Sequence, residues 1–498
     1  MSVFTFQKIS PESMGIPSSQ ILEILKMLDD MELYNHALLI AKGDNLICEA
    51  YYKPFSETFL HRAYSVSKSF VSAAVGVAVT EELLSLDDVI IDFLPEFKGE
   101  NTDDGLYEKC TVRDMLKMSS NIGGSVYWWG KFKTRTHAYY SQKSVKTPGS
   151  LYFYDSIGSF VLGVIIEKLT GKDFLSYLKE KVLLELGFSK ESYVLTEPGG
   201  YAIGDSGVMC TLRDLFILAR LFAKGGTVNG KRYIDVDYVK DAISPLCFDD
   251  IYCDIQTLRT GGYGYLIRTI PEGFVFTGLG DQLVFYDKQR DITFVILSDN
   301  QGCPSSSDLI YHIFSSHLLS AVQEHTIIEN VNDQKLLSEY ENSRLLLHQY
   351  GNTTSTIKDS INSKHYKSAI NNSIGITDFS ICFSKDEGKI KLVRNGKYFG
   401  FDFGLGYNKF VRFSFGERAK ADMMGVWEKG EYDCATSAAF VNENTLVIKL
   451  QVIDTYFGKL QFTINFNNNE ANMYIKKQGQ YVFDGIEGYV LGKFTNEE

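Results

Sequence analysis

Several things are scarce in this sequence, and each scarcity removes a class of function. Basic residues are in deficit, with 50 Lys and Arg against 62 Asp and Glu for a formal charge of −12. No Lys/Arg run stands out, so the concentrated cationic footprint of a nucleic-acid binder is missing and no nucleic-acid partner is expected. Residues 1–11 lack the cationic, apolar and small-residue order of a secretory leader. The most apolar stretch, residues 70–79, is well short of the roughly 20 residues that cross a bilayer. A cytoplasmic protein with no membrane span is therefore expected. The eight cysteines, at 48, 110, 210, 247, 253, 303, 382 and 434, include no C-x-x-C pair. That argues against a zinc site or a disulfide framework and for reduced, mostly buried thiols. There is no G-x-S-x-G elbow for any of the eight histidines to serve. His312 and His317, five apart, share no helix face and make a poor metal pair. Gly261-Gly262-Tyr263-Gly264 and Phe403-Gly404-Leu405-Gly406 lack the strand-loop-helix spacing of a dinucleotide site and read as turns. No metal and no organic cofactor are expected.

What is present is ordinary globular material: 44% hydrophobic and 22% charged residues over 498 positions, too long for one core. Residues 18–33 repeat Ile21, Leu22, Ile24, Leu25 and Leu28 at helical spacing behind a Pro-Ser-Ser start. Residues 36–41 and 45–52 are apolar runs joined by Lys42-Gly43-Asp44, a hairpin signal. Residues 65–84 predict a long apolar helix, followed by loop-rich helical sequence to about 223. Strands are predicted again at 261–269, 274–277, 283–287 and 293–298, closed by a helix at 308–322. Strands at both ends with helices between them predict an α/β (α+β) fold whose single antiparallel sheet, flanked by helices, is assembled from distant parts of the chain. Residues 326–370 read as a partly helical linker. Residues 371–498, where VIKLQV at 447–452 and LQFTINF at 460–466 alternate cleanly, read as a separate β-rich, barrel-like domain.

The chemistry gathers at Tyr64-Ser65-Val66-Ser67-Lys68-Ser69-Phe70. A serine hydroxyl needs a base within hydrogen-bond reach and donors for the oxyanion. Spacing i, i+3 on a helix sets Ser65 and Lys68 side by side, burial makes a lysine a usable base, and the helix N-terminus favours developing negative charge.

The surrounding sequence extends this pattern. His61-Arg62-Ala63-Tyr64-Ser65-Val66-Ser67-Lys68-Ser69-Phe70, then Leu84-Ser85-Leu86-Asp87-Asp88, Val112-Arg113-Asp114-Met115-Leu116 and Thr211-Leu212-Arg213-Asp214-Leu215, resemble the serine β-lactamase-like and penicillin-binding protein family over about residues 11–319. That family includes class C β-lactamases, family VIII esterases and 6-aminohexanoate-dimer hydrolases, and S-x-x-K is its signature. The resemblance implies a serine hydrolase that cleaves a small-molecule or peptide-like ester or amide through an acyl-enzyme on Ser65, with Lys68 as proton acceptor. In the family's second motif, Y-x-N, this chain has Tyr154-Asp155-Ser156 between Pro148-Gly149 and Leu162-Gly163-Val164-Ile165-Ile166-Glu167. Tyr154 would relay the proton to the leaving group. Ser156 stands where Asn usually steadies the lysine and the substrate amide. Ser119-Ser120-Asn121 is a rival match to the second motif.

The third motif, K-T-G or H-x-G, has two possible registers. Phe276-Thr277-Gly278 keeps Thr-Gly, while Leu279-Gly280-Asp281 keeps the distance to Gln282 and to Asp287, Arg290 and Asp291 and is preferred. The amide after the motif, Gln282 in the preferred register or Leu279 in the other, would join the Ser65 amide as the oxyanion hole. Either way the cation that relatives direct at a substrate carboxylate is absent, with Arg259 or Arg268 as substitutes, and Asp281 would repel a carboxylate if it faced the cleft. Trp128-Trp129 with Tyr127, Tyr139 and Tyr140 reads as core, or else as a substrate wall.

Overall fold

A computed structural model describes the chain apart from residues 1–3, 5, 99–104, 125–133, 198, 249–260, 416–430, 480–481, 484 and 496–498. The chain divides into two compact units, the division in sequence falling between Leu345 and Leu346.

The first unit is built on a seven-stranded antiparallel sheet in the order 45–51, 35–42, 292–298, 282–287, 273–278, 268–270 and 262–263. The hairpin expected at Lys42-Gly43-Asp44 is there, with Gly43 at φ 60° joining Asn35–Lys42 to Asn45–Tyr51. Asn35–Lys42 then pairs with Ile292–Ser298, so the sheet does unite the two ends of the unit. Alternation along the strands sends apolar side chains to both faces. Val275, Leu283 and Phe285 join Ile21, Ile24, Leu25 and Phe314 in one core, while Phe274, Phe276, Val284 and Tyr286 join Phe70, Val71, Phe160 and Phe222 in the other. Helix Ser67–Thr80 is buried from Ser67 to Ala78, which explains why its sequence is apolar on every side.

Helix Val331–Asn342 belongs to this first unit, although its sequence reads as linker. Leu337 enters the core beside Ile24 and Leu28, Tyr340 donates to Asp29 at 2.6 Å, and the buried Glu341 pairs with Lys8. So few of its residues are buried that no apolar stripe marks it. The expected helix at 308–322 is present as Ser306–His312, a π-helical turn Ile313–Leu318 and Leu319–Ala321.

The second unit is a β-barrel. Among the described residues, nine strands close a ring in the order 397–405, 387–394, 376–383, 365–368, 488–494, 470–478, 457–467, 445–453 and 432–442. A short parallel contact, Gly404–Leu405 against Ser437–Ala438, shuts it, and Lys409–Phe413 adds to the last strand. The runs at 447–452 and 460–466 lie in paired strands. Aromatic contacts such as Phe401 with Phe413 at 5.0 Å and with Phe462 at 5.6 Å lie among its buried residues. Its first strand, His365–Ser368, falls within the stretch that reads as linker.

Candidate active site

Ser65 lies in a 3-10 turn, Tyr64–Val66, that runs directly into helix Ser67–Thr80. Of the ten residues 61–70, Ser65 alone is not buried. Lys68 is 1% exposed, and its Nζ donates to Ser65 Oγ at 2.9 Å and to the Asp205 carbonyl at 2.7 Å. The ring of the half-buried Tyr154 has its centre 5.0 Å from Lys68 Nζ. The i, i+3 spacing has thus produced a serine that meets solvent and a lysine that does not. Tyr64, next to the serine, adopts φ 45°, a region that non-glycine residues enter only when their surroundings hold them there. The Arg62 guanidinium lies 4.9 Å from its ring centre.

Ser67 has a different place. Its Oγ, fully buried, accepts from the Val208 amide at 3.0 Å, which ties the helix to the strand Val208–Cys210. Ser119, Ser120 and Asn121 are buried as well. Ser119 Oγ donates to the Asp114 carbonyl at 3.2 Å and Asn121 Nδ2 to Ser144 Oγ at 2.9 Å. Ser156 opens helix Ser156–Thr170 and is 7% exposed.

The strand side of the site is formed by Gly273–Gly278 and Gln282–Asp287, joined by Leu279-Gly280-Asp281. Gly278 is the residue pressed against the nucleophile turn, where an added Cβ would stand 2.5 Å from the Ala63 carbonyl. Only glycine permits that approach. Phe276 is fully buried, with ring contacts to Phe274 at 5.3 Å and Phe222 at 5.9 Å. Leu279 and Gly280 are partly exposed. The Gln282 side chain clips the turn together: Nε2 donates to the Leu279 and Ser298 carbonyls at 2.7 Å each, and Oε1 accepts from the Ser298 amide at 3.2 Å. Asp281 is 6% exposed, and its carboxylate accepts from Asn300 Nδ2 at 2.9 Å and from the Ser307 hydroxyl. A carboxylate held in this way is committed to the fold, with its oxygens taken up by Asn300 and Ser307. Arg268 is buried, its guanidinium 5.9 Å from the Tyr263 ring. Tyr139 and Tyr140 are core residues packed on Tyr107. Tyr127, Trp128, Trp129 and Arg259 lie outside the described residues.

Two histidines do meet, away from any bond to the serine. The Arg62 carbonyl, 3.1 Å from His61 Nδ1, can only accept, so that nitrogen carries the proton and His61 Nε2 accepts from His36 Nδ1 at 2.7 Å. Burial pulls His61 down to about 3, against the opposing effect of the Arg62 carbonyl. Among the described residues, no group of three or more His, Cys, Asp and Glu is placed to hold a metal ion, and no helix is long and apolar enough to cross a membrane.

Comparison with known proteins agrees with this architecture. Residues 29–315, more than half of the chain, match the family described as Beta-lactamase. The chain belongs to the Beta-lactamase family. Within it, the chain is 23% identical over 232 residues to the 6-aminohexanoate-dimer hydrolase of Paenarthrobacter ureafaciens, covering 43% of this chain and 58% of that one. It is 28% identical over 148 residues to the N-acetylmuramyl-L-alanine amidase of Bacillus subtilis (strain 168), covering 24% and 33%. The match thus spans less than three-fifths of the length of these curated relatives. Among solved structures, that of a candidate beta-lactamase from Bacteroides dorei DSM 17855 aligns with a TM-score of 0.51 at 17% identity, covering 61% of this chain and 98% of that one. This likeness shows the Beta-lactamase fold.

Beyond the residues singled out from sequence, the site of this Beta-lactamase-family chain draws on Arg62, Arg135, Glu197 and Asp205. All four are buried; Arg62 lies in the run 61–70, where the resemblance assigns it no role, and no local motif marks the other three. Glu197 Oε2 accepts from the Arg135 amide at 3.0 Å, and burial pushes the Glu197 carboxyl upward, against the effect of that hydrogen bond.

Proposed function

We propose that this protein is a serine hydrolase that cleaves an ester or amide through an acyl-enzyme on Ser65. The observation that carries the proposal is the 2.9 Å hydrogen bond from a buried lysine to the one residue of its stretch that is not buried. In this reading Ser65 Oγ attacks the carbonyl carbon while Lys68, acting as the neutral amine, receives the hydroxyl proton. Tyr154, beside Lys68, passes a proton to the leaving group, and water then releases the acyl group. The Ser65 amide and an amide of the strand turn hold the oxyanion. The approach of Gly278 to Ala63 favours the Phe276-Thr277-Gly278 register, with Leu279 as the second donor. In relatives that recognise penicillins the third motif carries a cation for the substrate carboxylate. Phe276 and Leu279 supply none, so substrates without a free carboxylate near the scissile bond suit this pocket better.

The test is fluorophosphonate labelling followed by a panel of neutral p-nitrophenyl esters, amides and nitrocefin. The native protein is expected to form one adduct, mapped to Ser65, and to turn over the esters faster than nitrocefin. Ser65→Ala should abolish adduct and turnover, while Ser67→Ala keeps the adduct. An adduct on Ser67, Ser119 or Ser156 would reassign the nucleophile. A folded native protein that forms none would be a non-catalytic descendant of the family.

A further inference from the structure

Three buried basic side chains converge on residues 205 and 206. Lys68 Nζ donates to the Asp205 carbonyl at 2.7 Å, Arg62 Nε donates to the Ser206 carbonyl at 2.9 Å, and Arg135 Nη1 is ion-paired with the Asp205 carboxylate. Arg62 and Arg135 are fully buried and Lys68 is 1% exposed. Two residues further on, Val208 gives its carbonyl to the Ala63 amide at 2.9 Å and its amide to Ser67 Oγ. Residues 205–208 are therefore laced to both sides of the serine. Arg135 arrives from elsewhere, at the first turn of helix Arg135–Tyr140, with its guanidinium 5.4 Å from the Phe160 ring centre and its own amide on Glu197.

The chemistry of lysine shows why this arrangement matters. A lysine nitrogen sits at the end of a flexible four-carbon stem, so its direction has to be set by the groups it binds. Lys68 has the Ser65 hydroxyl, which the proposed reaction consumes, and the Asp205 carbonyl, which persists through it. That carbonyl belongs to a turn outside the sheets, in which the Ser206 and Gly207 amides donate to the Ile203 carbonyl at 3.4 and 2.8 Å, and the side chains bound to the turn add to what orients its peptide plane. The Asp205 carboxylate, on the same residue, is one of them, and it is held by Arg135. A fully buried ion pair does little for stability compared with apolar residues of the same size, because desolvation offsets most of the Coulomb attraction. What such a pair does supply is a defined geometry.

We propose that the Arg135–Asp205 ion pair is the positioning device of the catalytic lysine: it orients the Asp205 carbonyl that aims Lys68 Nζ at Ser65. The inference rests on the reading of Ser65 and Lys68 as the catalytic pair. Neither Arg135 nor the Asp205 carboxylate touches substrate, so both are positioning groups.

The test compares the native protein with the double variant Arg135→Met/Asp205→Leu, which swaps the pair for apolar groups of similar size, and with Arg135→Lys. Thermal melts, the rate of fluorophosphonate labelling at Ser65, and kcat and KM on a neutral p-nitrophenyl ester are measured on all three. The double variant is expected to remain folded and to lose about 10²-fold in labelling rate and kcat, as about 1 Å of misplacement costs, with KM little changed. Arg135→Lys, which keeps a cation on the carboxylate but no planar fork, is expected to fall between the two. Should the double variant fail to fold, Arg135→Lys decides alone, and a native labelling rate in that folded variant overturns the proposal. Native rates in a folded double variant overturn it equally, as does a loss confined to KM. Absence of an adduct on the native protein removes the catalytic reading and this inference with it. An adduct on the native protein, with equal rates in the variants, removes this inference alone.

Discussion

The two walls of the candidate site differ in how they are built. The helix wall, with Ser65 and Lys68, comes from four consecutive residues whose geometry one helical turn dictates. The strand wall, with Gly278 and Leu279, comes from a hairpin whose register is set by cross-strand pairing, Gly278 opposite Gln282, and by packing on the nucleophile turn. Sequence resolves the first kind of wall almost completely and leaves the second ambiguous. Nothing in residues 276–282 alone says which glycine will meet Ala63.

That contrast makes predictions, and the largest concerns the helix wall. Lys68→Ala and Tyr154→Phe are each expected to reduce turnover by about 10² to 10⁴-fold, the usual effect of removing a positioned proton-transfer group. Steady-state kinetics on folded variants checks this. Near-native turnover of either variant would take that residue out of the chemistry.

The strand wall gives the next effect and distinguishes its two apolar positions. Phe276 is fully buried, so Phe276→Lys places an unpaired charge in the core and should destabilise the fold by about 3 to 5 kcal/mol, read as a shift in urea midpoint. Leu279 is partly exposed, and Leu279→Lys should leave the protein folded. Only in the Leu279-Gly280-Asp281 register does Leu279 hold the cation position. There a charge-assisted contact of about 1.5 to 3 kcal/mol would give this variant about 10 to 150-fold on nitrocefin relative to a neutral ester; in the favoured register no such gain is expected. A stable Phe276→Lys protein would remove the distinction, and a relative gain of that size for Leu279→Lys would reverse the choice of register.

The smallest effect belongs to the histidine pair behind the nucleophile turn. His61 titrates near 3 in the folded chain, below its ordinary 6.5. Between those values the unfolded chain holds a proton that the folded chain does not. Stability is therefore fully present above pH 6.5 and falls as the pH falls through this window, by at most about 1.4 kcal/mol per pH unit for one proton. Urea unfolding at pH 7 and pH 5 should show a shallower loss for His61→Gln than for the native protein, and equal slopes would mean that His61 does not contribute to the loss.

Much of the fold was legible for simple reasons. The 3.6-residue repeat of Ile21, Ile24, Leu25 and Leu28 marks a helix on a core, and the alternation at 447–452 and 460–466 marks paired strands. The helix at 331–342 lies in a stretch expected to be partly helical, but its place in the first unit is not legible, because tertiary contacts of Leu337, Tyr340 and Glu341 hold it there and no apolar stripe in its sequence announces them. The division at Leu345 is hidden in the sequence for the same reason.

By itself the sequence determined the S-x-x-K turn, the hairpin at Gly43, the buried helix after Ser65 and the β character of the C-terminal unit, because each follows from periodicity or local backbone geometry within a few residues. Only the tertiary structure decided that Gly278 packs against Ala63, that the Asp281 carboxylate is taken up by Asn300 and Ser307, and that Arg62, Lys68 and Arg135 converge on Asp205 and Ser206. These contacts join residues from about 20 to 200 positions apart in the chain, and the pairing of a buried charge depends on which segments folding brings together.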